Sequence, residues 1–435
     1  MEGILIDRVW AGHPVPFALL VERGHQFIAY YDAERRIVVT GRKLPDGPWS
    51  RFRPDGRTVP GRDHPSNAVG WDSHNSLQLA LDRDGYLHLS GNMHADPLVY
   101  YRTREPFDVT TLERHDRMTG ELEFKVTYPN FFKSAAGDLL FRYRDGGSGN
   151  GSDYCNIYDP TTRLWRRFLT TPLHAGEGAR NAYASTPLLG PDGRFHVAWV
   201  WRETPSADTN HSLAYARSPD LVHWENSAGQ SVALPITLAT SDVIDSAPPG
   251  QGLINTTYAL GFDHRRRPLV AYHRYDSQGL SQIYVARPAP TGGWSQHLVS
   301  AWKFRWSFTG GGAIPIDVAV GRPTPQKDGT VVIDFHTRLA GSGRVRLDDE
   351  TLAVLGQLPA LPPVLPDNLR TAQSKFPGVS VQTLVRRAYG RVWVLRWETL
   401  GRNRDKPHAT TPPASELRLY EFPDRELPST DRTTP

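Results

Sequence analysis

Two histidines twenty positions apart, His74 and His94, are each close to an asparagine, Asn75 and Asn92 respectively. Further along stand Tyr143 with Arg144, Asn181 with Tyr183, Trp201 with Arg202, and His273 with Arg274. Imidazole and phenol exchange protons near neutral pH, and guanidinium pairs with oxyanions through a planar fork. Two His, a Tyr and several Arg brought into one cleft are what acid–base chemistry on an anionic substrate needs. Any one of these residues alone more often caps a loop or packs half-buried. The chemical reading therefore depends on the elements that would gather them.

Those elements repeat. Seven times a short apolar run, a tight turn and a second apolar run recur, the second runs reading QFIAYYDA, YLHLSGNMHA, LLFRYRDG, RFHVAWVWRE, PLVAYHRYD, VVIDFHTR and RVWVLRWET. Self-similarity at this period signals a radial repeat. The 38 Gly, 36 Pro, 12 Trp and 17 Tyr in 435 residues, with no sustained amphipathic helical stretch, describe all-β architecture. The expected fold is all-β, a single seven-bladed β-propeller over 1–435, with blades near 15–60, 71–116, 126–171, 181–236, 253–300, 314–356 and 378–423.

In an up-and-down blade, alternate turns lie on opposite faces. Residues opening an inner strand (His74, Asn75, Asn181, Tyr183) and those ending a second strand (Asn92, His94, Tyr143, Arg144, Arg202, His273, Arg274) should thus share one rim around the channel. His25, His88 and His196 fall within strands or on the opposite side and read as structural. The run Gly146–Gly151 lacks the Lys-Ser/Thr and helix of a phosphate cradle and reads as a flexible turn that brings Asn150 or Asp153 near the rim.

Composition narrows the classes. The net charge is +4, and of the 50 basic residues only seven are Lys. An Arg-lined cleft suits carboxylates or sulfates, although a codon bias would give the same count. No dense basic run supports nucleic-acid binding. The single cysteine, Cys155, excludes an intramolecular disulfide and the usual thiolate zinc sets. The N-terminal MEGILIDRVWAGHPVPF never reaches a secretory apolar core, and no stretch is long enough to span a bilayer, so the chain reads as soluble, cytoplasmic as written, or exported if a leader was removed. A monomer is expected.

The stretch HNSLQLALDRDGYLHLSGNMHADPLVYYRT, then Met118–Gly120, Glu123, Val126–Pro129 and YRDGGSGNG at 143–151, resembles the BNR-4 repeat group of propellers, which contains the ulvan lyases and related rhamnose–glucuronate lyases. The likeness continues through WVWR at 199–202, TNH at 209–211 and YHRYD at 272–276, covering most of the first five blades. The turn Ser218–Trp224 is similar to a shortened Asp-box and is read as structural.

The resemblance implies that His74 and His94 are active-site histidines, Tyr143 the catalytic tyrosine and Arg202 a substrate-carboxylate contact; His211, in the matched TNH piece, is a further substrate-binding candidate. It also implies a 4-linked uronate glycan as partner. One departure is that YCNIY at 154–158 lacks an Arg expected in ulvan lyases, which bears on which polymer is cut. β-Elimination would have Arg or a protonated His neutralise the carboxylate, Tyr143 or His94 take the C5 proton, and Tyr143 or a His protonate O4. That requires no cofactor for catalysis and leaves room for a structural ion such as calcium. Two rival classes are a hydrolase of the sialidase or rhamnosidase type, with Asp145 or Glu203 as its acid, and a non-catalytic propeller that binds acidic glycans.

Overall fold

A computed structural model describes residues 2–424. Its strands form seven antiparallel sheets, which follow one another along the chain. The first runs Ala18–Glu22, His25–Tyr31, Ile37–Lys43, Ser50–Phe52. The second runs Leu77–Leu81, Leu87–Gly91, Tyr100–Thr103, Leu112–His115. The third runs Val126–Lys133, Leu139–Gly147, Asn150–Asp159, Leu164–Arg167. Sheets four to six are built on the central strands Phe195–Arg202, Pro268–Tyr275 and Thr330–Thr337. Among the described residues the longest α-helix is the single turn Asp367–Arg370, and no helix is long and apolar enough to cross a membrane.

The seventh sheet joins the two ends of the chain. Val379–Ala388, Arg391–Leu400 and Ser415–Pro423 are completed by Ile4–Val9, which pairs with Ser415–Pro423. The seven repeats read from the sequence correspond to these sheets, and Ile4–Val9 is the strand that the repeat pattern did not single out.

Apolar layers fill the spaces between sheets, because alternate residues on each strand point to opposite faces. On Leu139–Gly147, Phe141 and Tyr143 join the large cluster shared with the first two sheets. Arg142 and Arg144 point the other way, toward sheet four: Arg142 donates to the Ala184 and Ser185 carbonyls, and Arg144 lies over Tyr183.

The Ser218–Trp224 turn caps itself. The Asp220 carboxylate accepts from the Val222 and His223 amides, and Trp224 donates to the Leu221 carbonyl from a buried position. His196 is fully buried between Asp192 and Tyr215, His88 is fully buried against Tyr100, and His25 stacks on Phe107 at 4.1 Å. All three have the packing roles expected of them.

Candidate active site

The segment leading into the first strand of sheet two carries Asp72, Ser73 and His74, and the hairpin after its second strand carries His94. The strand His94–Asp96 leaves sheet two and pairs with Val126–Lys133 of sheet three, placing Thr127 opposite His94. Asn92 and Ala95 take left-handed φ values of 61° and 60° at this crossing. Asn92 secures it by donating to the Ser66 and Ala68 carbonyls.

Both histidines converge on one carboxylate. His74 Nδ1 donates to Asp72 Oδ1 at 2.7 Å and His94 Nδ1 to Asp72 Oδ2 at 2.5 Å, and the two rings stack with centroids 4.4 Å apart. Burial opposes the charge on Asp72, but hydrogen bonds from His74 and His94 outweigh it and hold the carboxyl well below its usual range. Asp72 therefore fixes both imidazoles in the tautomer with Nδ1 protonated. Each Nε2 is left without a hydrogen-bond partner among the described residues, with its side chain about one quarter exposed.

These three side chains also form the one group among the described residues whose spacing would suit a metal ion. The oxygen–nitrogen separations are those of direct hydrogen bonds, too short for two ligands sharing an ion with bonds near 2 Å. In this arrangement both Nδ1 atoms donate to Asp72.

Tyr128, on the first strand of sheet three, lies 6.1 and 6.2 Å from the two imidazole rings, and Tyr183, opening sheet four, lies 5.9 Å beyond it. The Arg144 guanidinium sits over both phenols, 5.1 Å from Tyr128 and 5.5 Å from Tyr183. Arg144 is 2% exposed, and none of its three side-chain nitrogens makes a well-formed hydrogen bond. Burying an unpaired guanidinium costs several kcal/mol unless a partner arrives. A carboxylate seated on its fork would recover that cost.

The phenols are differentiated. Burial and the neighbouring Tyr183 raise the pKa of Tyr128. Burial acts the same way on Tyr183, but the charges of Arg144 and Arg202 and a hydrogen bond with Ser148 at 2.7 Å outweigh it and lower the pKa. The loop bearing Ser148 is fastened down, since the Gly149 amide donates to Asn181 Oδ1. At Gly149, φ is +78° and a Cβ would meet Thr204 Cα at 2.5 Å, so only glycine fits.

The structure thus brings together His74, His94, Arg144 and Tyr183 from the expected set, with Asn75, Asn92 and Asn181 as buried supports. Asn75 is 1% exposed, and its carbonyl accepts from Tyr31.

Tyr143 is not part of the group. It is 1% exposed on the opposite face of its strand, where its hydroxyl accepts from Arg167 at 3.0 Å and burial raises its pKa to about 12. Arg202 touches the site through Nη1, 3.3 Å from the Tyr183 hydroxyl, while its other nitrogens hold the Thr204, Pro205 and Ser206 carbonyls. It is a loop anchor whose charge acts on Tyr183, and the free fork belongs to Arg144.

His211 is held by Glu203 at 2.7 Å and Ser212 at 2.9 Å. His273 is fully buried on the Gly252 carbonyl, with burial lowering its pKa to about 4, and Arg274 pairs with Asp245. None of their contacts reaches the histidine pair.

Of the carboxyl groups suited to a hydrolase, Glu203 is bonded to Arg180 and His211. Despite partial burial, Arg180 and His211 hold Glu203 ionised. Asp145 shares the strand face of Tyr143. The Gly146–Gly151 loop contributes Ser148 to the group, while Asp153 is buried on Arg142 and His174. Neither Asp153 nor the exposed Asn150 joins the site.

Asp72, Tyr128 and Ser148 were not singled out from sequence. Asp72 precedes His74 by two positions, the spacing of a local carboxylate–imidazole bond, and Tyr128 opens an inner strand, the position that marked Tyr183. Those were the available signals.

A family model described as BNR repeat-containing family member matches residues 25–302. The short ulvan lyase isoform of Alteromonas sp. (strain LOR) is 28% identical over 251 residues, covering 44% of this chain and 47% of that protein. The long isoform of Glaciecola sp. (strain KUL10) is 25% identical over 272 residues, 49% of this chain and 27% of that protein. The matched part spans about half the length of the short relative and less of the long one.

Among solved structures, the polysaccharide lyase Uly1 superposes with a TM-score of 0.62 at 14% identity, covering 96% of this chain and 93% of that one. A PL25 ulvan lyase bound to -[GlcA(1-4)Rha3S]- gives a TM-score of 0.60 at 13% identity, covering 97% and 96%. These two share the fold over nearly their whole length. With well over half of its length matched by the family model, the chain belongs to the BNR repeat-containing family.

Proposed function

We propose that the seven sheets are the blades of one propeller and that the protein is a polysaccharide lyase, cleaving a 4-linked uronate in an ulvan-type acidic glycan by β-elimination. The observation that carries this reading is the buried Arg144 guanidinium, which lies over two phenols without a well-formed hydrogen bond, beside a carboxylate-bridged histidine pair. The ulvan lyase relatives and the glucuronate–rhamnose ligand of a structure with the same fold support the substrate class.

The uronate carboxylate pairs with Arg144, which withdraws charge and acidifies the C5 proton. The unprotonated Nε2 of His94 takes that proton, with Asp72 stabilising the imidazolium as in a carboxylate–imidazole dyad. The C5–H electron pair becomes the C4–C5 double bond, and the C4–O4 bond breaks. The departing O4 takes a proton from Tyr128, whose raised pKa keeps it protonated. Tyr183, whose pKa the charges of Arg144 and Arg202 lower, lies beside Tyr128 and contributes to raising the pKa of that phenol. Base, acid and neutraliser all come from this chain's side chains, so the reaction as written calls on no cofactor.

Screening uronate-containing glycans for new near-ultraviolet absorbance tests this reading. A 4,5-unsaturated uronate absorbs there. New chain ends without absorbance would mean hydrolysis, and binding without products would mean a glycan-binding module.

A further inference from the structure

Beside Trp71, the residue that precedes Asp72, a cavity of about 340 Å³ opens between the first and second sheets. That lies at the lower end of the roughly 300–1,000 Å³ typical of small-ligand pockets. It is built by two segments: the turn Asp32–Arg36 after the second strand of sheet one, and the lead-in His64–Trp71. Hydrogen bonds lock them together, Ile37 donating to the Asn67 carbonyl at 2.7 Å and Val69 to the Arg35 carbonyl at 3.0 Å.

Arg35 lies in this wall, its guanidinium 3.8 Å from the Trp10 ring centroid and 4.8 Å from that of Trp71. Two aromatic faces hold the cation in place. Among the described residues its side chain makes no hydrogen bond and no ion pair, in contrast to its neighbours. Arg36 donates to Asn67 Oδ1, and Glu34 is paired with Arg53 at 2.8 Å. Asp63, whose side chain is 98% exposed, stands 3.9 Å from His64 Nε2 on the far wall. A planar cation thus lies against two indoles in the wall of a cavity, with the Asp63 charge acting on it, one residue along the chain from Asp72.

We infer that Arg35, lying against the adjoining rings of Trp10 and Trp71, is a second oxyanion subsite, binding the carboxylate or sulfate of a sugar unit beyond the one cleaved. This rests on the lyase reading for the identity of the polymer. Trp71 would offer the sugar an apolar face while Arg35 takes its acid group, and Trp71 adjoins Asp72 in the chain.

The test uses ¹⁵N-indole NMR of the full-length protein, with Trp10 and Trp71 assigned by Trp→Phe substitution and titrated with sodium glucuronate or sodium sulfate against sodium chloride at equal ionic strength. Either oxyanion is expected to shift the Trp71 signal, and Arg35→Gln to weaken the response at least tenfold, with Arg35→Lys in between because it keeps the charge but loses the planar stack. A shift with glucuronate alone assigns the site to uronate, and one with sulfate alone to a sulfated sugar. Circular dichroism matching the wild type establishes that the variants fold. Signals unmoved by both anions, or an Arg35→Gln response equal to the wild type, would overturn the subsite. The readout is independent of turnover, so a protein that makes no unsaturated product yet shows the Trp71 shift would lose the lyase reading and keep this one.

Discussion

Tyr143 and Arg144 are consecutive on one strand and face different layers of the molecule. The Tyr143 hydroxyl is held by Arg167 at 3.0 Å, while the Arg144 guanidinium lies 5.5 Å from the Tyr183 ring with no well-formed hydrogen bond. A one-residue step along a strand reverses the side-chain direction. It sets the Tyr143 phenol and the Arg144 guanidinium in different surroundings.

Tyr143→Phe should therefore leave turnover within a few-fold of wild type. Arg167 keeps its bonds to Asn156 Oδ1 and the Glu121 carbonyl, so the stability loss should be about 1–2 kcal/mol. Steady-state rates and a denaturant titration measure both. A hundredfold loss of kcat in the folded variant would return Tyr143 to the chemistry.

Tyr128→Phe deletes the proposed proton donor to O4, and kcat should fall on the order of a hundredfold or more. Tyr183→Phe should also impair kcat, because it removes the hydroxyl beside Tyr128 that contributes to the raised pKa of that phenol. Equal rates in both variants and the wild type would show that neither phenol moves a proton.

Asp72 gives a prediction in pH. Its pKa in the folded protein lies below the ordinary carboxylate value, so its contribution to stability is fully present above about pH 4 and is lost as pH falls from there through the folded value. The melting-temperature advantage of wild type over Asp72→Asn should be largest near neutrality and shrink as the solution is acidified below about pH 4. An advantage that grew on acidification would contradict the ionised bridge. Asp72→Asn should also depress kcat, because neither imidazole is then held in one tautomer.

His94→Ala should abolish most turnover with the fold kept. His196→Ala should do the reverse, because it removes buried bonds to Asp192 and Tyr215 and leaves a void. We expect destabilisation of about 2–4 kcal/mol with near-normal activity in the folded fraction. Thermal melts paired with rates on the two variants separate these outcomes.

The sequence carried the all-β character and the seven repeated units because aromatic strands and Gly/Pro turns are local signals. It located His74, His94, Arg144 and Tyr183 because strand ends on one side of a repeated unit share a rim. It did not resolve Tyr143 from Arg144, since a β-bulge between Thr127 and Asn130 sets the register of their strand against its neighbour. Nor could it reveal Asp405, which accepts from the Ser73 amide and hydroxyl and from Ala313 and lies 3.5 Å from His74 Nδ1. That contact spans more than three hundred residues and comes from a region where the repeat resemblance is weak. Arg202 was legible as a strand-end cation, but whether its fork was free depended on the fold of the Thr204–Ser206 loop.

The most direct test of the account is the near-ultraviolet absorbance of the product from a rhamnose–glucuronate glycan, followed for wild type and Arg144→Ala side by side. We predict a steady rise with the wild type and a rate reduced at least a hundredfold in the variant, both proteins showing the same circular dichroism. Wild-type cleavage without absorbance, or an Arg144→Ala enzyme that forms the unsaturated product at near the normal rate, would contradict carboxylate neutralisation by Arg144.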